Sequence, residues 1–439
     1  MLDPTIIGLI GLCALVVLIM LRVPVGASLA LVGFLGLTAI IGIGPTLPNL
    51  AFVPFETVNH YAFAVIPLFT LMGAFVAESG IGQEAYAAAR VWVGHVRGGL
   101  AMASLVGCGL FAATSGSSLA TAVTMGRAAF PEMKRLDYAD TLSVGCVAAG
   151  GSLGMLIPPS MAFVLLGVLT DVSIGQLFMA GIIPGILEVV FYCITIYIMC
   201  RFKPQLGPSG PRTTAVQKIV AVKDTWAVIL LFLLVMGGIY GGVFTATEAG
   251  AVGAFGALVI SLVRRRLSRS SFATSLMDTA KITAMIIAVL IGAYIFMRFL
   301  TITRIPFIAS EFIVDLGISR YLVIAVILVS FILLGTFFDM IAVLTVSVPV
   351  LFPIIVSLGF HPLWFGVLMV RMLEMGFVTP PFGINLFAVA GASKVPMVTV
   401  YRGVIPFVIA DVAHVALLVT VPQLSTWLPG IMMSLRAGT

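Results

Sequence analysis

Charge is scarce in this chain. Of its 439 residues, 9% are Asp, Glu, Lys or Arg and 61% are hydrophobic. A water-soluble protein of this length needs more charge on its surface, so the composition excludes a soluble fold and predicts an all-α polytopic membrane protein. Cysteine is scarce too. The five cysteines are scattered without CxxC spacing, which argues against a disulfide framework or a cysteine metal site.

Catalytic motifs are also lacking. No GxxxxGK[ST] loop occurs, so the chain does not hydrolyse ATP through a P-loop. The competing class is an intramembrane hydrolase, because residues 113–116 approach a GxSG motif around Ser115. However, Ala113 replaces the first glycine, no GxGD motif occurs, and the four histidines show no ligand spacing. We therefore expect no enzyme activity, no catalytic residue and no cofactor, and any energy that the function needs must come from a gradient or a partner.

Glycine and proline are abundant in the apolar sequence, with 45 and 23 residues. Apolar runs such as Val25–Gly44 approach the roughly 20 residues that span a bilayer as a helix. Inside a bilayer, backbone polar groups must be satisfied, so interrupted helices persist only where protein or a water-filled cavity surrounds them. The composition therefore predicts broken helices in a lipid bilayer.

The net charge of +6 reports topology and predicts no nucleic-acid partner. Five basic residues lie in the connection Arg201–Lys223, and four more lie in Arg264–Arg269, two apolar segments later. Both loops are therefore assigned to the cytoplasm and the N-terminus to the outside. No basic residue precedes the first apolar run and no cleavage site follows it, so we expect this segment to be retained.

Four prolines of the first half recur 222 residues later in the second half (380 − 158 = 222). The matched pairs are Pro131 and Pro353, Pro158 and Pro380, Pro159 and Pro381, and Pro184 and Pro406. The offset predicts two repeats, residues 1–203 and 224–439, joined by a cytoplasmic linker at 204–223. An odd number of crossings in each half would make the second repeat inverted in the membrane.

Each half contains an apolar stretch interrupted by polar residues, at about 99–131 and 321–353. We interpret these stretches as re-entrant hairpins whose tips are Ser115–Ser118 and Gly335–Asp339. The alternative is a helix pair with an external loop.

Each half also contains a segment broken at a Pro-Pro pair, at about 139–170 and 362–392. Proline has no N–H, so carbonyls near Gly154 and Gly376 lose their helical partners, and Thr379 adds a hydroxyl. Such oxygen ligands suit a small hard cation. The alternative is that each Pro-Pro pair only kinks a packed helix.

After each Pro-Pro pair the chain restarts as a helix, whose N-terminal amides attract a carboxylate. Ser160 and Asn385 lie in these first turns and are candidate substrate-binding residues. Their alternative roles are helix capping and interhelical hydrogen bonding. Asp339 in the second hairpin tip is a further candidate, where its carboxylate would compensate a bound cation.

The remaining acidic residues of the apolar segments are harder to assign. Glu374 is expected to pair with Arg371, three residues earlier on one helix face. Glu188, Glu248 and Asp411 have no partner that the sequence identifies.

These motifs together resemble a known family. The chain resembles the large permease subunit of TRAP transporters, the DctM or SiaM type. The features that carry the resemblance are the stretch Gly154–Pro159, the pattern from Gly376 through Thr379-Pro380-Pro381 to Asn385, the hairpin-tip serines and the two-repeat length. The resemblance implies a sodium-driven secondary importer of an organic anion in the inner membrane of a bacterium or archaeon. It also implies an elevator mechanism, in which a transport region of hairpins and broken helices moves against a scaffold.

The resemblance further implies partners and ligands. The partners would be a small four-helix membrane subunit, expected here as a separate chain, and an extracytoplasmic substrate-binding protein. By matching position, one sodium ion would be bound by Ser115, Ser117, Gly154, Ile157 and Pro158. A second would be bound by Gly335, Gly376, Thr379 and Phe382. The cargo stays open among C4-dicarboxylates, sialic acids and other sugar acids, and the nearest rival is a stand-alone sodium/dicarboxylate symporter.

Overall fold

The computed structural model describes residues 3–315 and 318–437. Residues 316 and 317, and the outermost ends of the two predicted repeats, lie outside this range. Every regular element among the described residues is helical. The prediction of an all-α fold is confirmed.

The described residues from 3 to 224, which comprise the first half and the linker, form eleven α-helices. They are α1 (Pro4–Met20), α2 (Val25–Ile41), α3 (Ile43–Asn59), α4 (Val65–Glu78), α5 (Ile81–Val93), α6 (Gly99–Ser115), α7 (Ser118–Arg135), α8 (Asp140–Leu156), α9 (Met161–Thr170), α10 (Ile174–Phe202) and α11 (Ala215–Asp224). Short 3-10 helices at Tyr61–Ala64 and Pro204–Leu206 precede α4 and follow α10.

The second half begins directly after α11, with Thr225 as the junction to its first helix. Its helices are α12 (Trp226–Phe232), α13 (Gly238–Tyr240), α14 (Ala246–Val263), α15 (Arg269–Thr303), α16 (Ile305–Asp315), α17 (Arg320–Phe337), α18 (Met340–Ser357), α19 (Pro362–Val378), α20 (Ile384–Ser393), α21 (Met397–Thr420) and α22 (Gln423–Ala437). A π-helical turn at Leu233–Gly237 joins α12 to α13.

The chain is long and apolar enough to cross a membrane many times. Within residues 3–315 and 318–437, eight helices are long and apolar enough to span a membrane, with α8 and α9 counted as one broken span. A ninth passes if the pair formed by α11 and the helix Trp226–Tyr240, bent by 53°, is one span. The chain is a multi-pass membrane protein.

Helix boundaries recur at the offset that the prolines predict. The hairpin helices α7 and α18 begin and end 222 residues apart (340 − 118 and 357 − 135). The helices before the breaks, α8 and α19, also begin and end 222 residues apart (362 − 140 and 378 − 156). Both Pro-Pro bonds, Pro158–Pro159 and Pro380–Pro381, are cis. These matched boundaries support the division into two repeats, which stays a prediction.

Glycine lets helices of the two halves touch through their backbones. An added methyl group at Gly403 of α21 would collide with the Thr141 carbonyl of α8, and one at Gly145 of α8 would collide with the Gly403 carbonyl. Gly26 of α2 and Gly292 of α15 make an equivalent close approach. Small residues allow this close packing in membranes, where burial of apolar surface does not favour helix association.

The α8–α21 contact predicts the effect of one methyl group. Gly403→Ala should lower the free energy of unfolding by about 1–3 kcal/mol, because the helices must separate to admit the methyl group. The measurement is the thermal unfolding midpoint of the detergent-purified protein. The matched control is Gly391→Ala in α20, where nothing lies within 4 Å of an added methyl group. Equal midpoints for the two variants would contradict this packing argument.

Candidate functional site

Both hairpin tips lie against the helix break of their own half. In the first half, a methyl group added to Gly154 would lie 2.6 Å from the Ser117 carbonyl oxygen and 2.8 Å from the Ser118 nitrogen. In the second half, one added to Gly376 would lie 2.7 Å from the Gly335 carbonyl carbon. Only glycine permits such contacts, so the helix before each break packs directly on backbone of the hairpin.

The first hairpin tip is ordered by its own hydroxyl groups. Ser117 caps α7 by accepting a hydrogen bond from the Ala120 N–H at 3.3 Å, and its carbonyl accepts from the Thr121 hydroxyl at 2.7 Å. The Ser115 hydroxyl lies 3.3 Å from the Thr121 hydroxyl. Gly116 joins α6 to α7 with a left-handed φ of 62°, and a methyl group there would lie 2.5 Å from the Pro159 carbonyl oxygen.

The first break leaves backbone oxygens for a ligand. Residue 158 is proline, so the Gly154 carbonyl cannot receive the usual hydrogen bond from an N–H four residues later. The next carbonyl, of Met155, accepts from the Ser160 hydroxyl instead. The Ile157 side chain packs towards Gly109 of α6 and Gly185 of α10, so its contribution to a cation site is limited to backbone.

The second break is also formed by proline, but its backbone hydrogen bonds and side chains differ from those of the first. Residue 381 is proline, so the Phe377 carbonyl loses its helical N–H partner, and the Gly376 carbonyl accepts from the Thr379 N–H at 3.3 Å. The Thr379 hydroxyl donates to the Met375 carbonyl at 2.5 Å, which leaves its lone pairs free to coordinate a cation. The Phe382 ring lies 5.2 Å from the Phe337 ring, centroid to centroid.

The oxygen atoms at both breaks are carbonyls and hydroxyls. This donor chemistry fits sodium, a hard cation that prefers oxygen ligands. Among the described residues, no cluster of three His, Cys, Asp or Glu side chains has the geometry to hold a metal ion. A cation at the breaks would therefore depend on backbone carbonyls.

One cavity of about 530 Å³ is lined by both tips and both breaks. Ser115–Ala120 line it from the first tip and Asp339–Ile341 from the second. The first residues of the restarted helices, Met161 of α9 and Ile384 of α20, also line it, as do residues of α4 and α15. The N-terminal ends of both half-helices, where the helix dipole is positive, therefore lie at the cavity wall.

Asp339 lies at the edge of this cavity as the cap of α18. Its carboxylate accepts from the N–H groups of Ile341 at 2.7 Å and Ala342 at 3.1 Å. Its exposed position and negative charge suit it to compensate a cation in the cavity.

Ser160 and Asn385, the other candidate substrate-binding residues, are engaged inside the protein. Ser160 is 1% exposed and bonds to Met155. Asn385 is fully buried, its Nδ2 donates to the Ser118 hydroxyl at 2.9 Å, and its Oδ1 accepts from that hydroxyl at 3.1 Å. The Asn385 pair joins α20 of the second half to the hairpin of the first, which is the interhelical alternative considered for this residue.

A larger cavity of about 620 Å³ lies between α3, α9 and α15. Glu56 and Arg298 form an exposed ion pair of 2.7 Å at its wall. None of the sequence-predicted site residues lines this cavity. The cavity between the hairpins is therefore the candidate functional site.

Sequence reasoning missed several residues that the fold places in or near this region. Gly73 of α4 touches the first hairpin, since a methyl group there would lie 2.6 Å from the Ser115 carbonyl oxygen. Asp278 and Thr279 of α15 line the cavity. Nothing in their local sequence separates them from other small or polar residues of membrane helices.

Comparison with known proteins decides the family. The family model described as "Tripartite ATP-independent periplasmic transporter, DctM component" matches residues 12–424. The chain belongs to this family. Its members include the C4-dicarboxylate TRAP transporter large permease protein DctM of Pseudomonas aeruginosa, which is 34% identical over 92% of this chain and 93% of the relative. The recognition as a TRAP large permease subunit, a transporter component and not an enzyme, is confirmed.

Two further relatives inform the permease's organisation and fold. The isethionate TRAP transporter permease protein DctMQ of Oleidesulfovibrio alaskensis is 32% identical over 97% of this chain but only 65% of its own length. The crystal structure of the YdaH transporter of Alcanivorax borkumensis aligns with a TM-score of 0.63 over 97% of this chain and 98% of that chain, at 14% identity. The latter likeness supports the fold alone.

The Ser118–Asn385 pair predicts a coupled effect on stability. Asn385→Ala should cost about 1–3 kcal/mol, because the buried Ser118 hydroxyl loses its partner. Ser118→Ala should cost a similar amount for the same reason. Thermal unfolding of both single variants and the double variant measures the coupling. The double variant should cost less than the sum of the two, and additive costs would contradict an energetic link between the halves.

Proposed function

We propose that this TRAP permease imports a small organic anion together with sodium through the cavity between its hairpins. The observation that carries this proposal is that both hairpin tips and both helix breaks line the same cavity. Transporters built from inverted repeats bind cargo where broken helices meet at mid-membrane, because half-helix ends and freed carbonyls are available there.

Two sodium ions would bind, one at each junction of a tip and a break. The first site would use Ser115, Ser117, Gly154, Ile157 and Pro158, mainly through carbonyls. The second would use Gly335, Gly376, Thr379 and Phe382, with the Thr379 hydroxyl added. The close contacts at Gly154 and Gly376 support this arrangement, since a cation coordinated by both sides would hold each hairpin against its broken helix.

The anion would bind between the two junctions. The first residues of α9 and α20 line the cavity. The N-terminal amides of a helix carry partial positive charge, which favours a carboxylate or sulfonate. We assign anion binding mainly to these amides, because Ser160 and Asn385 use their polar groups inside the protein. A sodium ion near Asp339 would offset the repulsion between this carboxylate and the cargo.

The cargo class follows from relatives with different substrates. The two permease relatives described above are named for C4-dicarboxylate and isethionate transport. C4-dicarboxylates and isethionate are small organic anions, one group with carboxylates and the other with a sulfonate. We propose a cargo of this class for this chain.

The proposed partners are a small membrane subunit and an extracytoplasmic binding protein. Family membership in a tripartite system supports both, and the longer DctMQ relative supports a permease that works beside a further membrane segment. In the proposed cycle, α6–α9 and α17–α20 move together against a scaffold that includes α2 and α15. We place the complex in the bacterial or archaeal inner membrane with the N-terminus outside, from the distribution of basic loops.

Reconstitution tests the transport function. The permease is placed in proteoliposomes with its small subunit, and the binding protein encoded beside it is added with its own bound anion. Uptake should follow an inward sodium gradient and stop when potassium replaces sodium or when either partner is omitted. Uptake that continues without both partners would instead support a stand-alone symporter, and equal uptake in potassium would exclude sodium coupling.

Sodium binding is testable on the purified permease. Sodium should raise the thermal unfolding midpoint above that measured in equal potassium, because a ligand that binds only the folded state stabilises it. Thr379→Val should raise the sodium concentration at half-maximal stabilisation by about 3–10-fold, as one ligand is lost. Thr379→Ser, which keeps the hydroxyl, is the matched control and should titrate like the wild type. An unchanged midpoint of titration in Thr379→Val would remove this residue from the site.

A further inference from the structure

A fully buried group of charges lies outside the candidate cavity, centred on Arg371 of α19. Its Nη1 lies 3.1 Å from Glu188 Oε1 and 3.2 Å from Glu374 Oε2, and its Nη2 contacts Asp411. Its Nε donates to His414 Nδ1 at 3.1 Å. The expected Arg371–Glu374 pair is present, and the structure adds the partners that the sequence left open for Glu188 and Asp411.

This Arg371 cluster joins the two halves. Glu188 comes from α10 of the first half, and the Ser152 hydroxyl of α8 lies 3.5 Å from its Oε1. Two pairs of positions near the cluster are related by the repeat offset (374 − 152 = 222 and 414 − 192 = 222). Ser152 corresponds to Glu374, and Tyr192 to His414. The cluster thus lies where the corresponding helices of the two halves meet, yet its side chains differ between halves.

The charges in the cluster do not balance. Arg371 supplies one positive charge against three carboxyl groups. His414 adds none, because its Nδ1 accepts the Arg371 hydrogen bond and must therefore carry no proton. A cluster with all three carboxyl groups ionised would bury a net charge of −2, which is costly away from water.

Unpartnered polar atoms give a second, independent observation. Within the described part of the chain, one oxygen of each carboxyl group is buried without a hydrogen-bond partner, as are the Tyr192 hydroxyl and His414 Nε2; the carboxyl oxygens are Glu188 Oε2, Glu374 Oε1 and Asp411 Oδ2. Each of these side chains is fully buried. Buried polar atoms are normally paired, so such a concentration in one place indicates a ligand or proton that completes the network.

We propose that Glu188 is a proton-binding site and that it stays protonated in the folded permease at neutral pH. Asp411 holds Arg371 through its own nitrogen, Nη2, and so accounts for the positive charge. Glu188 shares Nη1 with Glu374, whose position three residues from Arg371 on the same helix secures its contact. Glu188 is the carboxyl group that reaches across from the other half, and a proton on it removes its repulsion with the other two carboxyl groups.

The charged groups that face Glu188 come from two of the helices packed against this part of α10. Arg371 and Glu374 face Glu188 from α19, and Asp411 and His414 from α21. Tyr192 lies one turn along α10 itself. From α8 the neighbour is the uncharged Ser152, while α6, α9 and the described side chains of α22 contain no charged residue. Arg371 is therefore the one cation that reaches Glu188 among the described residues.

The proton would keep the halves together. Its loss in alkaline solution leaves an extra buried negative charge at the junction of α10, α19 and α21, which opposes their packing. The site is separate from the proposed sodium and anion sites and stands whether or not sodium drives transport.

Infrared spectroscopy tests the proton directly. The wild-type permease in membranes at neutral pH should show the carbonyl-stretch band of a buried protonated carboxylic acid, shifted in heavy water. Glu188→Gln should remove this component, and Glu188→Asp, which keeps an acid, should shift it. The matched control is Glu248→Gln, an exposed carboxylate that caps α14. A spectrum that Glu188→Gln leaves unchanged would overturn the proposal.

Stability against pH gives a second measurement that does not depend on band assignment. The wild-type unfolding midpoint should fall between about pH 7 and pH 10 by at least about 3 °C more than that of Glu188→Gln, which has no proton to lose at this position. Glu188→Asp should follow the wild type. Parallel pH profiles for wild type and Glu188→Gln would show that no proton at Glu188 supports the fold.

Discussion

The arrangement of this permease depends on two close backbone contacts, at Gly154 and Gly376, where a broken helix lies on the tip of its hairpin. A single methyl group at either position would overlap the hairpin backbone and separate the broken helix from the hairpin tip. Separation would move the freed carbonyls of the break away from the hydroxyl and carbonyl oxygens of the tip. The central cavity lies between the two hairpins, and residues of both tips and both breaks line it.

The bilayer explains why these contacts are paired with proline. Proline frees a carbonyl from the helix, and a free carbonyl facing lipid would be costly. Here the freed carbonyls lie beside a polar hairpin tip and a cavity, where a cation or water can satisfy them. The break is thus stable only because the hairpin covers it, and the hairpin tip tolerates its polar residues only because the break is there.

Positions related by the predicted repeat share helix boundaries but differ in their side chains. Ser160 and Phe382 occupy equivalent positions, yet Ser160 is 1% exposed and Phe382 is 51% exposed. Around Arg371, Ser152 and Tyr192 of the first half are replaced by the acid Glu374 and the base His414 in the second. The second half therefore contributes most of the buried charge of the Arg371 cluster, and Glu188 is the acid that the first half contributes to it.

The sequence by itself determined the class of the protein and the positions of its helix breaks, and it predicts the repeat that relates them. Composition excludes a soluble fold. Proline and glycine act locally on the backbone, so their spacing in the chain is enough to locate the helix breaks. Thr379 and Gly154 could be predicted as candidate site residues because they lie at these breaks. The tertiary structure alone decided which distant groups meet: Asn385 with Ser118, and Arg371 with Glu188 and Asp411. Isolated acids in apolar helices look alike in sequence, because their partners come from other helices and only packing brings them within hydrogen-bonding distance.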